Sequence, residues 1–201
     1  MKLGIYGGTF NPIHIGHLIV AQSVLEELSL DKIIFIPTGN PPHKNINHVL
    51  PGKARMDMVN LSVSDNTMFQ VSDVEINRLG KTYTYDTLIE FRQIFNEAEI
   101  NFIIGYDTLL DIESWYRVED TLGLARFVVV NRDEKHSVIQ ESIDSIKSRY
   151  GGNFTKVTIP NIGISSSDIR RRINQGKSIK YMVTNKVNEY IADNKLYRGD
   201  F

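Results

Sequence analysis

The N-terminal segment, residues 2–17, restricts the possible fold of this chain more than any other. A short apolar run ends at Gly7 and Gly8, and two histidines, His14 and His17, follow shortly afterwards. This pattern predicts a β-strand, a glycine loop and a helix that begins near Gly16. Because glycine has no Cβ, the backbone amides of such a loop can approach a ligand closely. The positive end of the helix dipole faces the same space, so the segment predicts a site for polyphosphate.

The glycine loop does not match the commoner phosphate-binding motifs. Residues 7–12 lack the Gly-x-Gly-x-x-Gly spacing of a dinucleotide-binding loop, and no Gly-Lys-Ser/Thr follows as in a P-loop. The two histidines could also be metal ligands, but the chain has no cysteine and no acidic residue stands beside them. The sequence therefore favours histidines that donate hydrogen bonds to phosphate oxygens, and it predicts no protein-held metal site.

Composition excludes several classes of protein. The 201 residues carry a formal net charge of −1, so no overall field attracts nucleic acid or an anionic membrane. The chain has no cysteine, which rules out disulfides and thiolate catalysis and is compatible with the cytoplasm. No signal segment or membrane-length apolar run is visible. We expect one domain over 1–201 that binds neither nucleic acid nor membrane.

Strand-like and helix-like patterns alternate along the chain. Continuous apolar runs at 33–36, 102–104 and 127–130 are typical of strands buried on both faces of a parallel sheet. Helical stripes lie between them, and two further helices are predicted at 165–175 and 183–193. The predicted fold is α/β, a Rossmann-like doubly wound, mainly parallel sheet with helices on both faces. Within the single domain, residues 161–201 form a small helical C-terminal lobe on an α/β core of residues 1–160.

Residues 7–17, read as Gly-Gly-Thr-Phe-Asn-Pro-Ile-His-Ile-Gly-His, resemble the signature of the nucleotidyltransferase superfamily that carries a His-x-Gly-His motif. Its members transfer a nucleotidyl group from ATP or CTP to a phosphate-bearing acceptor. Within it, the chain most closely resembles the bacterial nicotinate-nucleotide adenylyltransferases, over nearly its whole length. This resemblance implies adenylyl transfer from ATP to nicotinate mononucleotide, a step of NAD biosynthesis that releases pyrophosphate, with Mg²⁺ entering together with ATP.

The resemblance also implies which residues bind ATP. His17 is the main candidate for stabilising the α-phosphate, with His14 beside it, while Lys44 and Arg170 would hold the polyphosphate. The implied catalytic residues are His17, His14, Lys44 and Arg170. The implied ATP-binding residues are Gly7, Gly8, Thr9, Phe10, His14, His17, Gly105, Asp107, Ser165, Ser166 and Arg170. Ser165 and Asp168 also have capping-box spacing, so an ordinary helix start at this point is compatible with an anion site.

A second set of residues is implied for the acceptor. Trp115 would provide an aromatic platform for a flat pyridine ring, and the backbone at Thr84, where a helix starts, suits a carboxylate. His43 and Lys44 lie in 37–51, the longest irregular segment, in a stretch stiffened by two prolines. The implied acceptor-binding residues are His43, Lys44, Tyr83, Thr84, Trp115 and Tyr116. Without the resemblance, these residues read as a solvated loop, a helix start and a core tryptophan.

Several alternatives remain open at the level of sequence. Asn11 stands where the family often has Asp, which removes a charge from the first loop. Another transferase of the superfamily, with phosphopantetheine or nicotinamide mononucleotide as acceptor, would share most of the motifs. A non-catalytic nucleotide-binding module would keep the glycine loop. A class I aminoacyl-tRNA synthetase shares the His-x-Gly-His spelling, but this chain is too short for one. The sequence does not decide between acid and amide acceptors, and it leaves a homo-oligomer possible.

Overall fold

The structure is a computed structural model that describes residues 1–40, 49–131 and 136–199, without the side chain of His136. Within these ranges, six strands form one sheet in the order β3-β2-β1-β4-β5-β6, and every neighbouring pair is parallel. The strands are β1 (Lys2–Gly8), β2 (Lys32–Pro37), β3 (Phe69–Val71), β4 (Glu99–Gly105), β5 (Arg126–Asn131) and β6 (Asn153–Thr158). This order is that of the doubly wound dinucleotide-binding folds, so the predicted fold class is confirmed.

Helices connect the strands and cover both faces of the sheet. They are α1 (Ile15–Glu27), α2 (Gly52–Val63), α3 (Thr84–Ile94), α4 (Tyr106–Leu110), α5 (Val118–Gly123), α6 (His136–Tyr150), α7 (Ser166–Asn174) and α8 (Asn185–Asp193), with a 3₁₀ turn at Ile112–Ser114. Successive side chains of a strand point to opposite faces. In β5, Val128 and Val130 therefore pack with α1, α2, α7 and α8, whereas Phe127 and Val129 pack with α3, α5 and α6.

Two strands give no clear signal in the sequence. β3 has only three residues, and β6 has just one fully buried residue, Val157. Both lie at the edges of the sheet, where one neighbouring strand is missing and less of the strand is buried. The predicted central strands and the helix near Gly16 are present. The last helix begins at Asn185, two residues later than predicted, because Thr184 caps it by accepting a hydrogen bond from Val187 N–H.

The topology places a crevice beside the glycine loop. β1 lies between β2 and β4, and the chain leaves these two neighbours toward opposite faces of the sheet. Ligands of open α/β sheets bind at such a switch point, outside the carboxyl ends of the strands. Here those ends are Gly8 of β1 and Gly105 of β4.

The C-terminal lobe shares its core with the sheet. Ile169 of α7, Val187 and Ile191 of α8, and Tyr197 are all buried in the cluster that contains α1 and α2. The Tyr197 hydroxyl donates a hydrogen bond of 2.9 Å to Asn11 Oδ1, which joins the end of the chain to the first loop. Burial raises the pKa of Tyr197 because a buried phenolate would lose its hydration.

None of the helices in the described ranges is long and apolar enough to cross a membrane.

The buried Tyr197 hydroxyl predicts a pH-dependent effect of Tyr197→Phe on stability. At neutral pH, loss of the hydrogen bond to Asn11 should lower the free energy of unfolding by about 1 kcal/mol. The pKa of Tyr197 in the folded state is raised. The wild type therefore keeps its full stability advantage over Tyr197→Phe below the unfolded tyrosine pKa of about 10. Above that pH this advantage falls by about 1.4 kcal/mol per pH unit. Urea unfolding should therefore show the wild type and Tyr197→Phe to be equally stable at about pH 11.

The exposed Tyr181 provides the control, since its side chain is 79% accessible. Tyr181→Phe should change stability little at any pH. A stability gap between wild type and Tyr197→Phe that stays constant as the pH rises past about 10 would contradict the assignment.

Candidate active site

A cavity of about 630 Å³ opens at the carboxyl ends of β1 and β4. This volume lies within the usual range for small-molecule sites. Eleven residues predicted from the sequence line it: Gly7, Gly8, Thr9, Phe10, His17, Tyr83, Thr84, Gly105, Asp107, Trp115 and Tyr116. The structure therefore brings the glycine loop and the predicted acceptor residues into one cavity.

The first loop is shaped by close contact between Gly8 and Phe10. A Cβ at Gly8 would lie 2.7 Å from the Phe10 ring, so no larger residue fits there without displacing that ring. Phe10 itself is buried and has a left-handed backbone, with φ of 46°. Its ring meets His17 edge-on, with 5.1 Å between ring centroids. Residues with a strained backbone are typical of functional sites. Here the strained residue is Phe10, whose ring lies against one side of the His17 ring.

His17 is held in one orientation and one protonation state. Its Nδ1 accepts a hydrogen bond of 3.2 Å from the backbone N–H of His14, so the ring is neutral and its proton is assigned to Nε2. The ring also stacks on that of His14, with 3.8 Å between centroids. A neutral imidazole with Nε2–H at the cavity is a preorganised hydrogen-bond donor for an anionic oxygen.

His14 differs from His17 in its surroundings. It is only 4% exposed and does not line the cavity. It precedes the first residue of α1 and supports His17 both through its backbone N–H and by ring stacking. The structure therefore places His14 behind His17, and direct donation from His14 to phosphate stays a prediction.

Helix α7 holds the first loop from the side of the C-terminal lobe. Arg170 Nη1 donates to the carbonyl of Asn11 and Ser166 Oγ to the carbonyl of Pro12, both at 2.8 Å. Ser165 caps the helix by accepting from Asp168 N–H. Ser165, Ser166 and Arg170 stand beside the loop and do not line the cavity, so their contact with ATP stays a prediction.

The two arginines after Arg170 point elsewhere, as their helical spacing predicts. Arg171 forms an ion pair with Asp168, and Arg172 Nε donates to the carbonyl of Ser178 at 2.9 Å.

The far side of the cavity combines aromatic rings with a helix start. Trp115 is half-buried, and its ring packs edge-on against Phe102 with 6.1 Å between ring centroids. Tyr83 and Tyr116 are in ring contact, tilted by 38° with 4.7 Å between ring centroids. Thr84 is the first residue of α3, where backbone N–H groups have no partner within the helix. This side can accommodate a flat ring and an anionic group.

Ten further lining residues were not predicted from the sequence: Tyr6, Thr38, Glu75, Thr82, Phe102, Ile103, Ile104, Thr108, Asp111 and Ser114. Asp111 lies one helical turn after Asp107, a spacing that could have indicated it. Glu75 is buried, where its carboxylate accepts from the Thr87 hydroxyl at 2.8 Å and from Gly39 N–H at 3.3 Å. No local signal in the sequence indicates Glu75 or Thr38.

The described lining of the cavity is more acidic than basic. Glu75, Asp107 and Asp111 contribute carboxylates, and His17 is the one basic side chain among the described lining residues. Within the ranges that the structure describes, no three His, Cys, Asp or Glu side chains converge to hold a metal ion. His43 and Lys44, the predicted cationic partners from the 37–51 segment, lie outside the described residues.

Asn11, which stands where an Asp was often expected from the resemblance, is well accommodated. Its Oδ1 accepts from the Tyr197 hydroxyl and from Leu50 N–H, at 2.9 and 3.2 Å. An amide oxygen and a carboxylate oxygen can both accept these two bonds.

Comparison with known proteins agrees with the geometry. The model of the cytidylyltransferase-like family matches residues 5–172. A probable nicotinate-nucleotide adenylyltransferase of Thermoanaerobacter sp. (strain X514) is 43% identical over 100% of this chain and 96% of that protein. One of Caldicellulosiruptor bescii is 43% identical over 98% of this chain and 100% of that protein. The fold is also that of the Plasmodium falciparum nicotinic acid mononucleotide adenylyltransferase complexed with NaAD, with a TM-score of 0.80, 21% identity and coverage of 98% and 97% of the two chains.

Proposed function

Because this chain belongs to the cytidylyltransferase-like family, and within it to the nicotinate-nucleotide adenylyltransferases, we propose that it transfers the adenylyl group of ATP to nicotinate mononucleotide. The observation that carries this proposal is that the glycine loop and His17 open into the same cavity as Thr84 and Trp115. A reaction between two nucleotides needs both half-sites to open into one space. The products are nicotinate adenine dinucleotide and pyrophosphate.

The chemistry is a direct displacement at phosphorus. A phosphate oxygen of nicotinate mononucleotide attacks the α-phosphorus of ATP, and the bond to the oxygen that bridges to the β-phosphorus breaks. Pyrophosphate leaves with the electron pair of that bond. The nucleophile is already anionic, so no general base is needed, and catalysis consists of alignment and charge stabilisation.

The residues of the cavity suit these two tasks. His17 Nε2–H would donate to an α-phosphate oxygen, and the backbone of Gly7 and Gly8 would lie close to the phosphates. Arg170, whose Nη1 holds the Asn11 carbonyl, would contact the polyphosphate with the remaining part of its planar fork. Gly105 and Asp107 would contact the adenosine, with the Asp107 carboxylate accepting from ribose hydroxyls.

The acceptor would bind on the opposite side of the cavity. Trp115 would stack on the pyridine ring, and backbone N–H groups at the start of α3, near Thr84, would bind the carboxylate. Tyr83 and Tyr116 would border that pocket, and Lys44, with His43 nearby, would contact the acceptor phosphate. A pair of backbone donors favours an acid over an amide, because a carboxylate accepts at both oxygens whereas a carboxamide turns its NH₂ toward one of the donors in either orientation.

Mg²⁺ would enter as part of the ATP substrate. Mg²⁺ in nucleotide sites is commonly bound by phosphate oxygens and water with only one or two carboxylates. The donors of the described residues fit this mode, since Asp107 and Asp111 line the cavity without converging into a cage. A chain without cysteine suits the reducing cytoplasm, and we propose that compartment for the reaction.

The first experiment measures pyrophosphate release from ATP with three acceptors in parallel. Nicotinate mononucleotide should be used most efficiently, with a kcat/KM roughly 100-fold above that for nicotinamide mononucleotide, because the amide leaves backbone donors unpaired. Phosphopantetheine should give no release above background. Equal use of phosphopantetheine would place the chain in another branch of the superfamily, and no release with any acceptor would favour a binding module.

A pair of substitutions separates the two nitrogens of His17. His17→Asn keeps an acceptor for the His14 N–H but removes the outer donor, and it should lower kcat by roughly 100- to 1,000-fold with little change in thermal stability. His17→Gln, which can place an amide N–H near the Nε2 position, should retain more activity. If His17→Asn turned over like the wild type, the role assigned to Nε2 would be wrong.

A further inference from the structure

Arg55, in the first turn of α2, is a buried cation bonded to the backbone of three separate segments. Only 2% of the residue is exposed to solvent. Nε donates to the carbonyl of Leu50 at 2.9 Å, Nη1 to that of Thr9 at 2.8 Å and Nη2 to that of Thr38 at 2.6 Å. The planar guanidinium thus fixes the relative positions of three carbonyls that lie between 5 and 46 residues away in the chain.

Two of these carbonyls belong to residues that line the cavity. Thr9 follows β1 in the glycine loop, and Thr38 directly follows β2. Leu50 lies two residues before α2, and its N–H donates to Asn11 of the first loop. Arg55 therefore lies behind the cavity wall, at the point where the ends of two neighbouring strands and the start of α2 meet.

The wall held by Arg55 has little freedom to shift. Thr38 N–H donates to the carbonyl of Gly8 at 2.9 Å, and Gly39 N–H donates to the carboxylate of Glu75. A Cβ at Gly39 would lie 2.1 Å from the Glu75 carbonyl oxygen, so the two backbones are in direct contact. A change in the position of Thr38 would therefore be transmitted to both Gly8 and Glu75.

Burial of the Arg55 charge costs free energy, which its hydrogen bonds have to offset. Burial lowers the pKa of the Arg55 guanidinium, and the negative charge of Glu75 acts in the opposite direction. The three hydrogen bonds are charge-assisted and therefore stronger than neutral ones, which offsets the lost hydration. Lysine would keep the charge but could not span three carbonyls with a planar fork.

We propose that Arg55 is a positioning residue for adenylyl transfer: it holds Thr9 and Thr38 so that the wall between them keeps the alignment of the two substrates. The inference rests on the proposed function, since it names what maintains the geometry of that reaction. Arg55 does not line the cavity and acts through the backbone of the residues that do. Displacement of reacting groups by about 1 Å can lower a rate by roughly 100-fold, even when the substituted residue is remote.

The test uses Arg55→Lys and Arg55→Ala, with Arg92→Ala as the matched control. Arg92 also donates from its guanidinium to two backbone carbonyls, those of Leu124 and Ala98, but none of these residues lines the cavity. Arg55→Lys should lower kcat by up to about 100-fold, with a much smaller change in KM for nicotinate mononucleotide because Thr84 and Trp115 are untouched. Arg92→Ala should lower stability but leave kcat unchanged.

Chemical rescue separates the role of the fork from a general loss of stability. Guanidinium ion, at concentrations well below those that unfold the chain, should restore part of the kcat of Arg55→Ala and none to Arg92→Ala, while equal ionic strength from NaCl should restore none. Wild-type kcat in Arg55→Lys would overturn the proposal. So would guanidinium that raises the thermal stability of Arg55→Ala without raising its kcat. If Arg55→Ala does not fold, Arg55→Lys decides by its kcat.

Hydrogen exchange gives a readout that does not depend on the reaction. The amides of Thr38 and Gly39 should exchange faster in Arg55→Lys than in the wild type or Arg92→Ala. Unchanged exchange at these two amides would overturn the proposal, irrespective of which acceptor substrate the enzyme uses. A wild type that exchanges slowly there but releases no pyrophosphate from ATP and nicotinate mononucleotide would instead contradict the proposed function.

Discussion

The arrangement of this molecule depends on the hydrogen bonds that hold the first loop at Asn11. Its side-chain oxygen accepts from Tyr197, 186 residues away, and from Leu50, and its carbonyl accepts from Arg170. The loop that leads to His17 in α1 is thereby fixed from the C-terminal lobe on one side and from the start of α2 on the other. A glycine loop alone would be free to move, and these contacts make it a rigid wall.

A fixed first loop matters because the proposed reaction needs little chemical participation from any single side chain. The nucleophile is already an anion and the leaving group carries its own charge, so the protein's task is to align two substrates and stabilise charge on the phosphates. The sheet supports this task by placing the glycine loop and the Trp115 side of the cavity at the carboxyl ends of neighbouring strands β1 and β4. Glu75, Asp107 and Asp111 make the lining acidic. The proposed cationic residues Lys44 and Arg170 would therefore offset the repulsion between these carboxylates and the substrate phosphates.

Local sequence patterns predicted the parts of the site that are local in the chain. Gly7, Gly8 and His17 lie within one strand–loop–helix unit, so a short motif identifies them. Trp115 follows the central strand β4 and was expected at the site only through the family resemblance. The central strands were equally visible because each is a continuous apolar run. The edge strand β6 was not, since its half-buried residues leave no such run.

The supporting residues could not be predicted in this way because their partners are distant in sequence. Arg55 reads as an ordinary exposed helix residue until the structure places the carbonyls of Thr9 and Thr38 around it. Tyr197 reads as a tail residue until its hydroxyl meets Asn11. Such pairings depend on how the chain folds back on itself, and a single sequence carries no pattern for them.

The central claim is that the cavity aligns ATP and nicotinate mononucleotide for one direct displacement, with no covalent link to His17 or any other side chain. The most direct measurement uses ATP that carries sulfur at its α-phosphorus in one known configuration, and determines the configuration of the dinucleotide product by ³¹P NMR. A direct displacement inverts the configuration at phosphorus, and we predict inversion. Retention would contradict the account, because it requires two successive displacements through a nucleotidyl-enzyme intermediate.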